Sequence, residues 1–325
     1  MHRSNNSPTT NPRIGLVVNA GPSLGYGHAV RCLRIARSLE GGASIFPISE
    51  TCRRFFEAAG FAASLADLKA EKFPQVMVTD LRESHAITAA IRRHGSRHVS
   101  IHDMGLTQCR SDVAIDGSVT NLVPYSPSPN QALFLGPRYM ITREPVVRAA
   151  SANLEDTVLV SVGGGASAEF AYRIAEHLKP LGIRVLTTAG FGPSAKNTPT
   201  PDSEIERAMA TCRFAISAAG TTLYDLLASG VPTIAVAVDR LQLRTAEEFQ
   251  EQGAVVSLGL LDRLSSSELL DRCSQMMSAE SMVSRMVSAG QNLVDGKGLQ
   301  RVVEIIDGPG RDIWKTHQTQ TSSVC

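Results

Sequence analysis

Short apolar runs alternate with amphipathic segments of helical period along this chain, and the alternation occurs twice. In the first half it begins at residues 14–18 and continues through 75–80 and 98–103. In the second half it begins again at 157–162 and includes 231–238, the most apolar run in the chain. Strands separated by helix-length segments form parallel sheets with helices on both faces. The sequence therefore predicts an α/β protein of two doubly wound, Rossmann-like halves.

Changes in composition divide the 325 residues further. The two ends of the chain are polar and are predicted to be disordered. Small and polar residues from 149 to 153 mark the predicted boundary between the halves. The predicted parts are a disordered lead (1–12), an N-terminal domain (13–148), a C-terminal domain (149–295), a C-terminal helix (296–308) and a disordered tail (309–325).

Charge and cysteine content exclude several classes of protein. The chain has 32 basic and 31 acidic residues and a net charge of +1, so no strong field favours nucleic acid or an acidic membrane. The six cysteines show no paired spacing, which predicts reduced thiols and a cytoplasmic protein. The first residues lack the apolar core of a secretory signal, and no apolar run is long enough to span a membrane.

The loop that follows the first apolar run combines glycines with one histidine. Gly25 and Gly27 lie between a predicted strand and a predicted helix, a place where backbone N–H groups can face an anion. The loop is neither a Walker A motif nor a full dinucleotide fingerprint, because Val30 stands where the third glycine would be. His28 at the helix start is a candidate general base, and Arg31 a candidate ligand of a departing diphosphate. The alternatives are a plain tight turn and a capping or core histidine.

Three loops of the second half share small or polar residues directly after a predicted strand. Glycines there permit close backbone approach to a ligand, and hydroxyls at a helix start suit a diphosphate. Alternatives are a flexible loop, an ordinary helix cap and an exposed linker. The candidate ligand-binding residues are Gly163, Gly164, Gly220, Thr221, Thr222, Asp225 as a ribose ligand, and Gln242 as a sugar ligand.

The order of these motifs resembles that of the UDP-sugar hydrolases of pseudaminic acid synthesis (PseG type) and the related spore-coat polysaccharide proteins. The resemblance spans residues 13–306 and begins with Gly25-x-Gly27-His28-x-x-Arg31. It continues through Asp80, Asp103, Cys109-x-x-Asp112, Tyr125, Gly136-x-x-Tyr139, Arg143-Glu144, Gly163-Gly164 and residues 218–232.

The resemblance implies a GT-B fold with a central cleft, similar to that of the lipid II GlcNAc transferase MurG. It implies a UDP-sugar bound between the domains, with UDP held mainly by the second. His28 then corresponds to the base that activates water, and Thr221, Thr222 and Asp225 belong to the nucleotide site. No metal or cofactor is required on this account, because helix starts supply the positive field.

The sugar pocket departs from the family pattern. Arg82 stands where the family has a tyrosine, and Leu241 where it has an asparagine. The predicted sugar-pocket residues are Asp80, Arg82, Asp103 and Tyr125. The leading hypothesis is a UDP-sugar hydrolase, and the first alternative is a GT-B glycosyltransferase with an acceptor other than water. A non-catalytic nucleotide-sugar sensor and a Rossmann dehydrogenase are the remaining alternatives.

Overall fold

The computed structural model describes most of the chain between residues 13 and 308. The described residues are 13–21, 24–67, 69, 72–81, 85–105, 110–120, 130–150, 154–161, 167–187 and 202–308. The predicted disordered lead and tail, together with Arg82, Tyr125, Gly163 and Gly164, lie outside these ranges. Among the described residues, no helix has the length and apolarity needed to cross a membrane.

The first half is a six-stranded, wholly parallel sheet with the strand order β2-β1-β3-β4-β5-β6. Its strands are β1 (Ile14–Val18), β2 (Ser44–Pro47), β3 (Val76–Asp80), β4 (Arg97–His102), β5 (Val113–Asp116) and β6 (Ala132–Leu135). Three helices follow the first three strands: α1 (Gly27–Ser38), α2 (Glu50–Ala58) and α3 (His85–Arg93). β6, with only four residues, was not predicted from the sequence.

The second half is a five-stranded parallel sheet with the order β11-β10-β9-β7-β8. Its strands are β7 (Glu155–Ser161), β8 (Arg184–Thr187), β9 (Cys212–Ala218), β10 (Thr233–Ala237) and β11 (Val256–Leu260). The helices are α4 (Ser167–Leu178), α5 (Asp202–Thr211), α6 (Thr221–Ala228), α7 (Arg240–Glu251), α8 (Ser266–Ser278), α9 (Glu280–Leu293) and α10 (Gly298–Asp307).

The central strands of each sheet, such as β1, β3 and β10, are buried on both faces, which explains why they read as nearly continuous apolar runs. In β1, Leu16 and Val18 pack with the cores of α1 and α2, whereas Val17 packs on the opposite face with Ile87 and Ile91 of α3. This alternation is the two-residue period of a strand. Burial on both faces fixes the position of every strand end, and the strand ends hold the polar residues described below.

Both sheets reverse their winding direction next to their first strand. In the first sheet, the chain passes from β1 to β2 on one side and then to β3 on the other. The second sheet does the same with β7, β8 and β9. A crevice forms at the carboxyl ends of the strands at such a switch point, and ligands of open α/β sheets bind there. The two switch points position Asp80 at the end of β3 and Ala218 at the end of β9.

The last helix, α10, returns to the first half. Val302, Ile305 and Ile306 are buried in the core formed by β1, α1 and α2. Arg97 of β4 donates to the carbonyls of Ile305, at 2.8 Å, and Ile306, at 3.2 Å, near the end of α10. A guanidinium at a helix C-terminus satisfies carbonyls that lack partners within the helix and favours the negative end of its dipole. The predicted final helix is therefore part of the N-terminal core.

Candidate active site

His28 forms a close pair with a buried carboxylate. It is the second residue of α1, and its Nδ1 lies 2.6 Å from Oδ1 of Asp80, the last residue of β3. The side chain of Asp80 is fully buried, whereas that of His28 is 12% exposed. An ionised carboxylate can only accept, and it forms the shorter of two contacts at Nδ1, so Nδ1 carries the hydrogen and Nε2 is left unprotonated in the neutral ring. Arg31 Nη2, which lies 2.9 Å from Nδ1, donates to Asp80 Oδ1 instead. The pair is an Asp–His dyad whose basic nitrogen is Nε2.

The loop before α1 brings His28 to this position. Gly21 and Gly25 form an antiparallel bridge, with Gly25 N donating to Gly21 O at 2.8 Å. Gly25 has φ +79°, a conformation that side chains disfavour, so a glycine is required for this turn. The helix starts two residues later, with Tyr26 at the N-cap and no capping side chain. The first N–H groups of α1 are therefore not satisfied by a side-chain cap.

Arg31 lies beneath the dyad and joins two carboxylates. Its Nε and Nη2 donate to Oδ2 and Oδ1 of Asp80 at 3.0 and 2.9 Å, and its Nη1 donates to Asp103 Oδ2 at 3.0 Å. Burial by itself lowers the pKa of Arg31, but the two carboxylates outweigh it and hold the pKa above its ordinary value. Burial likewise acts to raise the pKa of Asp80, and the charge of Arg31 and the bonds from His28 and Arg31 keep it below its ordinary value. Both groups therefore remain charged.

These contacts change two of the predicted roles. Asp80 was expected in the sugar pocket, but its carboxylate is buried and both of its oxygens accept hydrogen bonds from His28 and Arg31. Arg31 was expected beside a departing diphosphate, but it is only 2% exposed and its guanidinium is held by Asp80 and Asp103. The physical reason is the same in both cases: opposite buried charges pair with each other because neither can be left unsolvated. Both residues support His28 from the core side.

Asp103 reaches the cleft from a constrained loop after β4. Met104 has φ +57°, which is unusual for a residue with a side chain. Hydrogen bonds hold it there: Met104 N donates to Ser118 Oγ at 2.6 Å, and Gly105 N donates to Asp116 Oδ2 at 2.8 Å. The Asp103 side chain remains 28% exposed. Asp116, which ends the neighbouring strand β5, was not identified as a site residue from the sequence, although its place at a strand end was a usable signal.

The start of α6 lies directly opposite the start of α1. A Cβ placed on Gly27 would lie 3.8 Å from Thr221 Cγ2, so the first turns of these two helices are neighbours. The N-cap of α6 is Gly220, again without a capping side chain, and the alternative of Thr221 or Thr222 as the N-cap does not apply. Two positive helix ends therefore meet at one place.

A cavity of about 40 Å³ joins the first half to this helix start. It is lined by Asp103, Met104, Met140, Ala219, Gly220, Thr221, Tyr224 and Thr245. Such a volume accommodates a few water molecules. It shows that Asp103 and the α6 start share one space between the halves.

Gln242 belongs to a helix and not to the predicted linker. Asp239 caps α7 by accepting from Gln242 N at 2.8 Å, so the helix begins at Arg240. The pattern of the sequence predicts a helix only over residues 245–252. A Cβ placed on Gly220 would lie 3.8 Å from Gln242 Nε2. The side-chain amide is therefore beside the α6 start, and the neighbouring Leu241 is 50% exposed.

Asp225 is placed differently from the expected ribose ligand. It is 3% exposed, and its Oδ1 accepts from Arg143 N at 2.8 Å and its Oδ2 from Arg143 Nε at 3.1 Å. Arg34 of α1 contacts the same carboxylate at 3.3 and 3.4 Å and also donates to Ile141 O at 3.1 Å. One turn into α6, Asp225 therefore faces the first half and the connecting segment. It ties the two halves together.

The described part of the chain contains no group of three His, Cys, Asp or Glu side chains arranged to hold a metal ion. The negative charges of Asp80 and Asp103 are balanced by Arg31, whose guanidinium lies between the two carboxylates.

Comparison with known proteins places this geometry in a familiar architecture. No family model matches the chain. The spore coat polysaccharide biosynthesis protein SpsG of Bacillus subtilis (strain 168) is 22% identical over 331 residues, covering 90% of this chain and 97% of that protein.

Three solved structures illustrate the fold. MurG from Acinetobacter baumannii superposes with a TM-score of 0.68 at 16% identity, covering 92% of this chain and 100% of its own. The calicheamicin glycosyltransferase CalG4 gives 0.62 at 14% identity, with coverages of 92% and 98%. UDP-GlcNAc 2-epimerase from Neisseria meningitidis, bound to UDP-GlcNAc, gives 0.59 at 11% identity, with coverages of 90% and 99%. The predicted GT-B fold is confirmed.

Proposed function

We propose that this protein cleaves the sugar–diphosphate bond of a UDP-activated amino or deoxy sugar, with His28 as general base and water as the nucleophile. The observation that carries the proposal is the 2.6 Å contact between His28 Nδ1 and the buried carboxylate of Asp80. That contact selects the tautomer in which Nε2 can take a proton. It also provides a negative charge that stabilises the imidazolium once the proton has arrived.

The reaction is balanced with water alone. The water oxygen forms a bond to the anomeric carbon while His28 Nε2 takes a proton from it. The bond from that carbon to the diphosphate oxygen breaks, and UDP leaves with the electron pair. The proton on His28 is then released to solvent, so the products are free sugar, UDP and one proton. Positioned proton transfer of this kind contributes roughly 10²- to 10⁴-fold to a rate.

The departing diphosphate needs positive partners, and the facing helix starts supply them. The N–H groups of Gly27, Gly220, Thr221 and Thr222 are the proposed ligands, since neither helix has a side-chain cap. Gly25, a predicted diphosphate ligand, instead shapes the turn, because its N–H already donates to Gly21 O at 2.8 Å. Preorganised backbone dipoles stabilise developing negative charge without the need to reorganise during the reaction. Gln242, beside Gly220, is proposed to bind a sugar hydroxyl, and Gly163 and Gly164 to approach the nucleotide.

The substrate class rests on the similar proteins. The epimerase from N. meningitidis was solved with UDP-GlcNAc, and the B. subtilis relative is named for polysaccharide biosynthesis. We extend a UDP-sugar substrate to this chain because its two helix starts meet at the interdomain edge. Asp103, with 28% of its side chain exposed, is the described residue that we propose for the sugar pocket, together with Arg82 and Tyr125.

A glycosyltransferase is the second candidate, and one observation favours it. Leu241, which stands where the hydrolases have an asparagine, is 50% exposed beside Gln242. An apolar side chain there removes a polar contact expected in a hydrolase pocket. The same dyad would then take a proton from an alcohol or amine acceptor instead of water.

The test is a panel of UDP-sugars incubated with the purified protein, with and without added acceptors, while UDP release is followed. UDP release with free sugar supports the hydrolase, and sugar transfer to an acceptor supports the transferase. His28→Ala should lower either activity about 10²- to 10⁴-fold, whereas His177→Ala, a control on α4, should not. If UDP binds but wild type turns over no UDP-sugar, the protein is a nucleotide-sugar sensor and the proposal is wrong. Turnover that is unchanged in His28→Ala would refute His28 as the base.

A further inference from the structure

An exposed aromatic residue lies two positions before His28 in the chain. Tyr26 is 39% exposed and immediately precedes Gly27 and His28 at the start of α1. Its carbonyl accepts the first helical hydrogen bond, from Val30 N at 2.9 Å. The backbone of Tyr26 is therefore fixed by the same turn that positions the histidine.

The ring of Tyr26 is also supported from behind. It stacks on Phe55 of α2, with centroids 5.7 Å apart and 30° between the planes. Phe55 in turn meets Phe56 edge to face, at 5.3 Å and 84°, and Phe56 is completely buried. This aromatic stack, Tyr26–Phe55–Phe56, runs from the core to the surface. Tyrosine presents a large, stiff contact area with few rotatable bonds, so little entropy is lost when a ligand covers it.

The neighbouring edge of the second half also exposes apolar groups. Val238 and Leu241 are 46% and 50% exposed, and Val238 N contacts Gln242 Oε1 at 3.4 Å, beside the α6 start. Apolar side chains thus flank the place where the two helix starts meet. Large apolar groups are exposed at a site when a ligand covers them.

We propose that Tyr26 is the platform on which a pyranose ring rests, with the apolar C–H face of the sugar against the exposed part of the aromatic ring. The proposal rests on the proposed function and adds a specificity-determining residue to it. The pyranose is either the sugar of the UDP-sugar or a sugar acceptor. A sugar with fewer hydroxyl groups on that face presents more apolar area and is expected to bind better.

The experiment measures binding by calorimetry for wild type, Tyr26→Ala, Tyr26→Phe and Tyr172→Ala. Tyr172 is a matched control, because it is 53% exposed but lies on α4 of the second half. The probes are UDP and the UDP-sugar with the tightest wild-type binding in the panel. We expect Tyr26→Ala to weaken UDP-sugar binding about 10-fold and UDP binding less than 2-fold, with Tyr26→Phe close to wild type.

A second measurement, the KM for an acceptor sugar, shows whether the pyranose belongs to the UDP-sugar or to an acceptor. Unchanged UDP-sugar binding with an acceptor KM raised about 10-fold assigns the platform to an acceptor sugar. Equal losses for UDP and UDP-sugar, a loss matched by Tyr172→Ala, or no loss in either arm would overturn the proposal. Thermal melting checks that Tyr26→Ala is folded, and Tyr26→Leu replaces it if it is not.

Failure of the proposed function can be told apart from failure of this inference. If wild type binds neither UDP nor any UDP-sugar, the proposed function is wrong. The platform is then tested with N-acetylglucosamine alone, by the fluorescence of Tyr26→Trp. A saturable change would still support a sugar platform, and its absence would exclude one.

Discussion

Replacing Asp80 with asparagine should keep the shape of the site but lower its catalytic activity. Asparagine keeps the shape of the side chain but offers an amide in place of one acceptor oxygen and removes the charge. His28 Nδ1 then loses a 2.6 Å bond to a carboxylate that is fully buried, and the tautomer is no longer fixed. In a Ser-His-Asp triad, the equivalent loss lowers kcat by about 10⁴-fold. Because no serine depends on this histidine, we expect a decrease of about 10²- to 10⁴-fold here.

The same substitution has a structural cost, which can be separated from the catalytic one. Arg31 loses a bidentate partner and keeps only Asp103. Breaking a buried ion pair costs about 3–5 kcal/mol when one charge is left alone, and the remaining carboxylate should keep the loss at the lower end. Urea unfolding measures this cost. UDP release is then measured with the best UDP-sugar of the panel, at a temperature where the variant is fully folded.

A double-mutant cycle decides whether Asp80 acts through His28. If it does, Asp80→Asn should slow the residual activity of His28→Ala by no more than about 2-fold, because residues that act as a unit are not additive. A further decrease of 100-fold or more in the double variant would refute the reasoning. Nitrogen NMR of the neutral His28 ring gives an independent check, since it should show hydrogen on Nδ1 in wild type and a mixture in Asp80→Asn.

Three further predictions concern stability. Burial lowers the pKa of His98 to about 4, so below pH 6.5 the unfolded chain binds a proton that the native chain does not. Stability should fall by about 3 kcal/mol between pH 7 and pH 4 from this residue alone, and urea unfolding of His98→Gln should lack that part of the fall. Asp225→Ala leaves two partly buried arginines without their carboxylate and should cost about 3–5 kcal/mol, and a loss below 1 kcal/mol in urea unfolding would contradict the interdomain tie. Gly298→Ala places a Cβ 2.0 Å from Met140 O and should lower the melting temperature, whereas Gly41→Ala, with open space around it, should not.

The fold could be predicted from the sequence because the apolar runs of its strands and the helical period of its helices are both local patterns. Apolar runs ending in polar residues indicated the strands and the edge at which Asp80 and Asp103 lie. The short strand β6 was missed, because four residues carry too little of the apolar pattern. The start of α7 was also missed, although Asp239 and Gln242 have the spacing of a capping box.

The partners of the site residues could not be predicted in the same way. Asp80 is 49 positions from Arg31 and 52 from His28, and Asp225 is 191 from Arg34. Helical spacing correctly put Asp225 one turn after Thr221, but it does not say which way that turn faces in a two-domain protein. In both cases a buried arginine determines the position of the carboxylate, because the arginine's charge would otherwise be left unsolvated.

The return of α10 to the first half also bears on how the protein is made. Val302, Ile305 and Ile306 complete a core whose other buried members are synthesised some 160 residues or more earlier. During translation the core of the N-terminal half therefore stays incomplete, with the outer side of α1 uncovered, until α10 has left the ribosome. A nascent chain cut or stalled before residue 298 would keep an apolar surface that binds chaperones. Expression of a fragment ending at residue 295 should consequently give aggregated protein, and adding residues 298–308 as a separate peptide should rescue its solubility.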